Sequence, residues 1–217
     1  VIRHLVISDF FLNFAFGLLA PIFAAFVLAD INGSTLKVIG LATACYWISR
    51  TATTVPLSRL MDRTNGERDE FYFMIVGSFL MSSLPLFYII SSLPWHIYLI
   101  QFLMGLANSM AVPAWRILFT DHIDRGRTGY EWSLEDIAIG LSVGASAYLG
   151  SVLADKFGFE IIFILLAILG YLATAIFLIP LKSEAKTISQ FRREGRWEKI
   201  REKREGLPPV IKSDGAA

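Results

Sequence analysis

A chain of 217 residues that is 54% hydrophobic, with 17 phenylalanines and a mean hydropathy of +0.54, exceeds what a soluble domain can cover with polar surface. A net charge of +1 excludes the strong basic field on which nucleic-acid binding draws. The single Cys45 has no intrachain partner, so cysteine usage says nothing about redox compartment.

A helix crossing a bilayer needs about 20 mostly apolar residues. Six runs meet that length: residues 4–28, 36–60, 71–90, 96–120, 132–154 and 159–181. The links between them are short, which predicts an all-α, up-down membrane bundle over residues 1–182. The first run is too long for a signal-peptide core and no A-x-A-like site follows it, so it is read as a span. Seventeen Lys and Arg fall on one side of this layout and two on the other, with Arg50 inside a span. That asymmetry puts both termini in the cytoplasm, in a plasma or inner membrane.

The tail, residues 183–217, changes character. Residues 188–206 set Ile188, Phe191, Trp197 and Ile200 among charges of both signs. They read as an amphipathic helix, either drawn to anionic lipid headgroups or simply solvated. Pro208 and Pro209 stop it, and the chain beyond is expected to be disordered.

Between the second and third runs, residues 58–68 read SRLMDRTNGER, a compact charged hairpin with Arg59, Asp62, Arg63, Gly66 and Arg68. The hairpin resembles the G-x-L-A-D-R-x-G-R-R loop between the second and third helices of the major facilitator superfamily of secondary transporters. Ser58 replaces the leading Gly, and one extra residue separates Arg63 from Gly66. The segment 101–107 resembles the family's R-x-x-Q-G-x-G pattern, with Gln101 in place of the Arg that in the family is often tied to proton coupling. Gly140, Gly144 and Gly150 are similar to its Gly-rich fifth helix, although Ala145 replaces the Pro. Residues 150–163 resemble the junction into the sixth helix.

The resemblance implies a six-helix half of a fold usually built from twelve, with alternating access between halves. Arg59, Asp62, Arg63, Gly66 and Arg68 become the gating loop by that likeness. A six-span chain must then pair as a homodimer or belong to a longer protein. On charge placement, Glu135 and Asp136 are expected to meet Arg59 or Arg63 of a neighbouring copy.

The residues themselves supply a solute-pathway hypothesis. Arg50 lies near mid-bilayer, where a charge costs at least about 2.5–3.5 kcal/mol unless it meets a cavity or partner. Asp9, with Asn13 one turn on, is its expected partner; the alternative is that Asp9 only caps the first helix. Tyr46 and Trp47 flank Arg50 and offer ring faces for a cation, or ordinary packing. Gln101 and Asn108 share one face of the fourth run, as pathway groups or as helix–helix hydrogen bonds. Gly140, Gly144 and Gly150, with Ser146, form a small-residue face for packing or dimerisation.

His4, His96 and His122 lie far apart without metal-ligand spacing, and no phosphate loop or nucleophile–base pair is visible. The expectation is therefore no enzyme, no cofactor and no metal. The chain reads as a secondary transporter for a small solute, with a coupling proton or ion, acting as a homodimer. Its rivals are a six-span scaffold that binds lipid or a partner, and a fragment of a twelve-span transporter.

Overall fold

A computed structural model describes residues 2–61, 68–123 and 127–179, and every element among them is helical. The first predicted span, residues 4–28, is two helices, α1 (Ile2–Leu19) and α2 (Phe23–Asp30), bent by 42°. Pro21 explains the break, because it lacks an N–H and its ring crowds the carbonyl four residues back.

Next comes α3 (Leu36–Met61), 26 residues or about 39 Å at helical rise. α4 (Arg68–Ser83) tightens into a 3-10 segment (Leu84–Ile90) at Pro85. α5 (Pro94–Asp121) opens on a proline, whose missing N–H is no loss in a first turn. α6 (Thr128–Phe157) gives way to α7 (residues 159–179) across Gly158 alone. Gly158 has φ +81°, a left-handed conformation that favours glycine.

Among the described residues, four helical segments are long and apolar enough to cross a membrane: α4 with its 3-10 extension, α5, α6 and α7. The bent α1–α2 pair makes a fifth. The sixth expected span, residues 36–60, is present as α3 with the right length but falls short on apolarity. It carries Lys37, Arg50, Arg59 and four threonines. Three of those hydroxyls return to carbonyls of their own helix: Thr43 to Ile39 at 3.0 Å, Thr53 to Ser49 at 2.7 Å and Thr54 to Arg50 at 2.6 Å. Such internal bonding is what lets a polar helix sit where water is scarce.

Asp62, Arg63 and Gly66 of the hairpin, and the tail with its expected 188–206 helix, lie outside the described residues. Arg59 is exposed in the last turn of α3, and Arg68 is the first residue of α4.

Packing follows three seams: α3 along α5, α5 along α4, and α1 along α6. α7 joins α4 through a Ser83–Tyr171 hydroxyl pair at 2.9 Å. Phe26, Tyr88 and Phe163 bring α2, the 3-10 segment and α7 together, with ring centroids 4.8–5.6 Å apart. All three seams depend on a missing side chain, the α4–α5 seam at Gly77, where a methyl group would overlap the Ala107 carbonyl oxygen. A methyl group on Gly150 would overlap the Leu18 carbonyl oxygen of α1, and one on Gly105 would overlap the Tyr46 carbonyl oxygen of α3.

Candidate functional site

The α1–α6 and α3–α5 seams leave a cavity of about 410 Å³ toward the end of the bundle where α3 finishes and α4 begins. Five charged side chains line it: Asp9 from α1, Arg50 from α3, Arg116 from α5, and Glu135 and Asp136 from α6. Asn13, Ser78, Trp115, Trp132 and Phe177 are also on its wall.

α6 presents Glu135, Ser142, Ser146 and Gly150 as its buried seam. The spacings of seven, four and four residues keep one face of a 3.6-residue helix. This corrects two expectations. Glu135 does not face a neighbouring copy; it is 5% exposed and lies beside the Asp9 carboxyl of α1. Nor do the three glycines share a face. Gly150 is inside the α1–α6 seam, whereas a side chain on Gly140 or Gly144 would meet open space. Around the helix Gly150 lies about 80° from Gly140 and about 120° from Gly144.

Asp9 is half-buried. Asn13 Nδ2 donates to its Oδ2 at 2.6 Å and to its backbone carbonyl at 2.9 Å. Glu135 completes its surroundings, and Arg116 and Asp136 are the charged neighbours of Glu135. The expected Asp9–Arg50 contact is not made: both groups line the cavity, but Asp9 turns to Asn13 and Glu135. The close α1–α6 approach, set where Gly150 meets the Leu18 backbone, explains this, since it brings Glu135 to Asp9.

Arg50 instead has its guanidinium over the Trp47 ring, 4.9 Å from the centroid, with the Tyr46 hydroxyl beside it. Trp47 meets Tyr46 edge-on at 5.4 Å. Ser109 of α5 bonds Thr53 of α3 at 2.7 Å, which fixes the turn that carries Arg50. On the opposite wall Trp115 stacks on Phe119 at 4.8 Å, and Trp132 packs edge-on against both.

Gln101 and Asn108 do not reach this cavity. The Gln101 amide lies beside the Tyr88 hydroxyl, and Asn108 Nδ2 points to the Met81 sulfur at 3.8 Å. Both join α5 to the α4 segment. Glu135 and Asp136 were read from the sequence only as contacts to a neighbouring copy, and Ser78, Trp115, Arg116 and Trp132 were missed as cavity groups. Arg116 carried a signal, because it falls inside the run 96–120 and an ionisable residue within a span is a functional candidate. The other three are ordinary span residues by type.

Helices of bilayer length here turn five ionisable side chains inward onto one cavity, where a charge within a span is tolerated. The chain belongs to the Major Facilitator Superfamily, whose family model matches residues 5–212. It is similar to an uncharacterized MFS-type transporter of Methanocaldococcus jannaschii, 26% identical over 170 residues, covering 78% of this chain and 42% of that protein. Its fold matches the in meso crystal structure of the POT family transporter PepTSo with a TM-score of 0.62. That match covers 83% of this chain and 37% of the other, at 16% identity. The chain thus spans less than half the length of either protein. It is an integral membrane protein of a transporter family rather than an enzyme family.

Proposed function

We propose that this chain is one half of a secondary-active transporter that moves a small solute by alternating access. The observation that carries the reading is the convergence of Asp9, Arg50, Arg116, Glu135 and Asp136 on one cavity. Charges within membrane helices are costly and are kept where a pathway uses them. Asp9, Asn13 and Arg50 are the proposed pathway residues on the wall, with Tyr46 and Trp47 holding Arg50. Gln101 and Asn108 support the pathway from the α4–α5 seam. Arg59, Asp62, Arg63, Gly66 and Arg68 form the gate.

The coupling ion is a proton held between Asp9 and Glu135. Two adjacent carboxyls in a low-dielectric site do not both ionise, so the pair binds and releases one proton as a unit. Asn13, Arg116 and Asp136 are the polar and charged groups around it. Both termini are cytoplasmic, and the basic tail meets anionic lipid headgroups.

Alternating access needs a second body to rock against. The outward face of α6 with Gly140 and Gly144 is the surface we assign to it. A second copy of this chain would supply that body. The coverage of 42% and 37% of the two matched proteins favours a second reading, in which the other half continues in one longer polypeptide.

Native mass spectrometry of the chain in lipid nanodiscs separates these. A dimer of 24.3 kDa chains is expected for the homodimer. Gly144→Leu is then expected to shift it to monomer without lowering the unfolding temperature, since a side chain there meets nothing in its own chain. A monomer that shows no flux rejects the homodimer and leaves the longer-polypeptide reading. In the assembled protein, Arg50→Leu is expected to reduce solute flux at least about tenfold, as loss of a charged hydrogen-bonding group predicts. Unchanged flux in that variant rejects the cavity as the pathway.

A further inference from the structure

We infer that the cavity recognises an organic monoanion: a carboxylate on a small apolar or aromatic body, anchored by Arg50. This rests on reading the cavity as the solute pathway. The argument is one of unmet bonding demand. The two acidic groups of the α1–α6 seam are already engaged, Asp9 by Asn13 and Glu135, and Glu135 by Asp9. Arg50 is different. Among the described residues its neighbours are the Trp47 ring and the Tyr46 hydroxyl, with no carboxylate at ion-pair distance.

Two further groups of cavity-lining residues lack partners among the described residues: Ser78 Oγ and Trp115 Nε1. Their residues are 1% and 8% exposed. An indole N–H can only donate, a guanidinium can only donate, and a serine hydroxyl can donate. The cavity's outstanding demand is therefore for an acceptor, and at Arg50 for a negative charge.

The charge balance limits that ligand to one negative charge. The wall's two cations, Arg50 and Arg116, face Asp136 and the Asp9–Glu135 pair, which keeps one charge while it holds its proton, and a dianion would meet more repulsion from these carboxylates than a monoanion. A phosphate monoester carries about −1.5 to −2 at neutral pH. A carboxylate carries one charge, and its two oxygens match the planar guanidinium fork. The rest of the wall is apolar, with Leu12, Met74, Val112, Ile139 and Phe177. A volume of about 410 Å³ is near the low end for ligand pockets, which suits one ring or a short chain.

The test uses the full chain in nanodiscs of phosphatidylcholine alone, so that no anionic lipid competes. Calorimetry at pH 7 compares benzoate, neutral benzamide, benzylammonium and inorganic phosphate. Benzoate is expected to bind saturably and the other three at least about tenfold more weakly, the size of one charge-assisted contact. Arg50→Gln should weaken benzoate about 10- to 100-fold, with Arg50→Lys intermediate. Trp115→Phe, which removes one N–H and keeps the ring, should weaken it severalfold and serves if Arg50→Gln does not fold. Benzylammonium or phosphate binding as tightly as benzoate overturns the proposal. So does no benzoate binding, or benzoate binding indifferent to Arg50 and Trp115. Benzoate binding through Arg50 without flux in proteoliposomes rejects the transport reading and leaves the anion site. Flux that Arg50→Gln leaves intact rejects the anion site and leaves transport.

Discussion

Gly150→Val is expected to lower the thermal unfolding midpoint by about 6–12 °C, the equivalent of about 3 kcal/mol in a domain of this size. A side chain at this position meets the Leu18 carbonyl oxygen, carbonyl carbon and Cα, all backbone atoms of α1 that no rotamer change can move. Overpacking a core costs about 1–3 kcal/mol, and contact with backbone belongs at the top of that range. The better helix propensity of a non-glycine residue offsets well under 1 kcal/mol for valine. Gly105→Val should cost as much, and it should also displace Arg50, because the same methyl overlaps the Tyr46 carbonyl oxygen and crowds the Arg50 N–H. Gly144→Ala is the control. It meets open space and should stay within about 0.5 kcal/mol of the parent. Intrinsic tryptophan fluorescence of the variants in one lipid reads all three midpoints. If Gly144→Ala fell as far as Gly150→Val, the α1–α6 seam would be assigned to the wrong glycine.

How much of this was legible from residues alone depends on the physics behind each feature. The helical runs were legible because bilayer thickness dictates their length and lipid dictates their apolarity. The break in the first was not, because proline alone does not decide it. Pro21 and Pro85 coincide with a bend and a 3-10 segment, whereas Pro56 and Pro113 lie inside unbroken α3 and α5. Arg50 and Asp9 stood out as charges within spans, and both line the cavity. Which group each would meet was not legible. The Asp9–Glu135 contact joins helices separated by more than a hundred residues, and the choice of neighbours is made by packing. The rotation of α6, by contrast, could have been worked out in advance. Helical arithmetic already sets Gly150 apart from Gly140, and with it Glu135 from Asp136: the first is buried and the second exposed.

Glu135→Gln is expected to abolish accumulation of solute against its gradient, bringing the inside-to-outside ratio to about one, while solute exchange persists. The amide keeps the shape of the side chain and its place in the α1–α6 seam but cannot take part in binding and releasing a proton. Exchange of solute for solute needs no net proton movement, so it should survive when the driving force is uncoupled. Asp9→Asn should do the same. Asn13 Nδ2 can still donate to the remaining side-chain oxygen at residue 9, so the local hydrogen bond is not forfeited. The decisive variant is the double one. If the two carboxyls hold a single proton between them, removing either destroys the whole site, and Asp9→Asn with Glu135→Gln should be no worse than either alone. Two independent sites would instead give losses that add. Glu135→Ala belongs in the same series, because it leaves Arg116 without its acidic neighbour and opens space in the seam. It should lose stability as well as coupling, which separates the structural part of Glu135 from the chemical part. Concentrative uptake retained by Glu135→Gln would remove the pair from the coupling mechanism and leave Asp9–Glu135 as a structural contact of the α1–α6 seam.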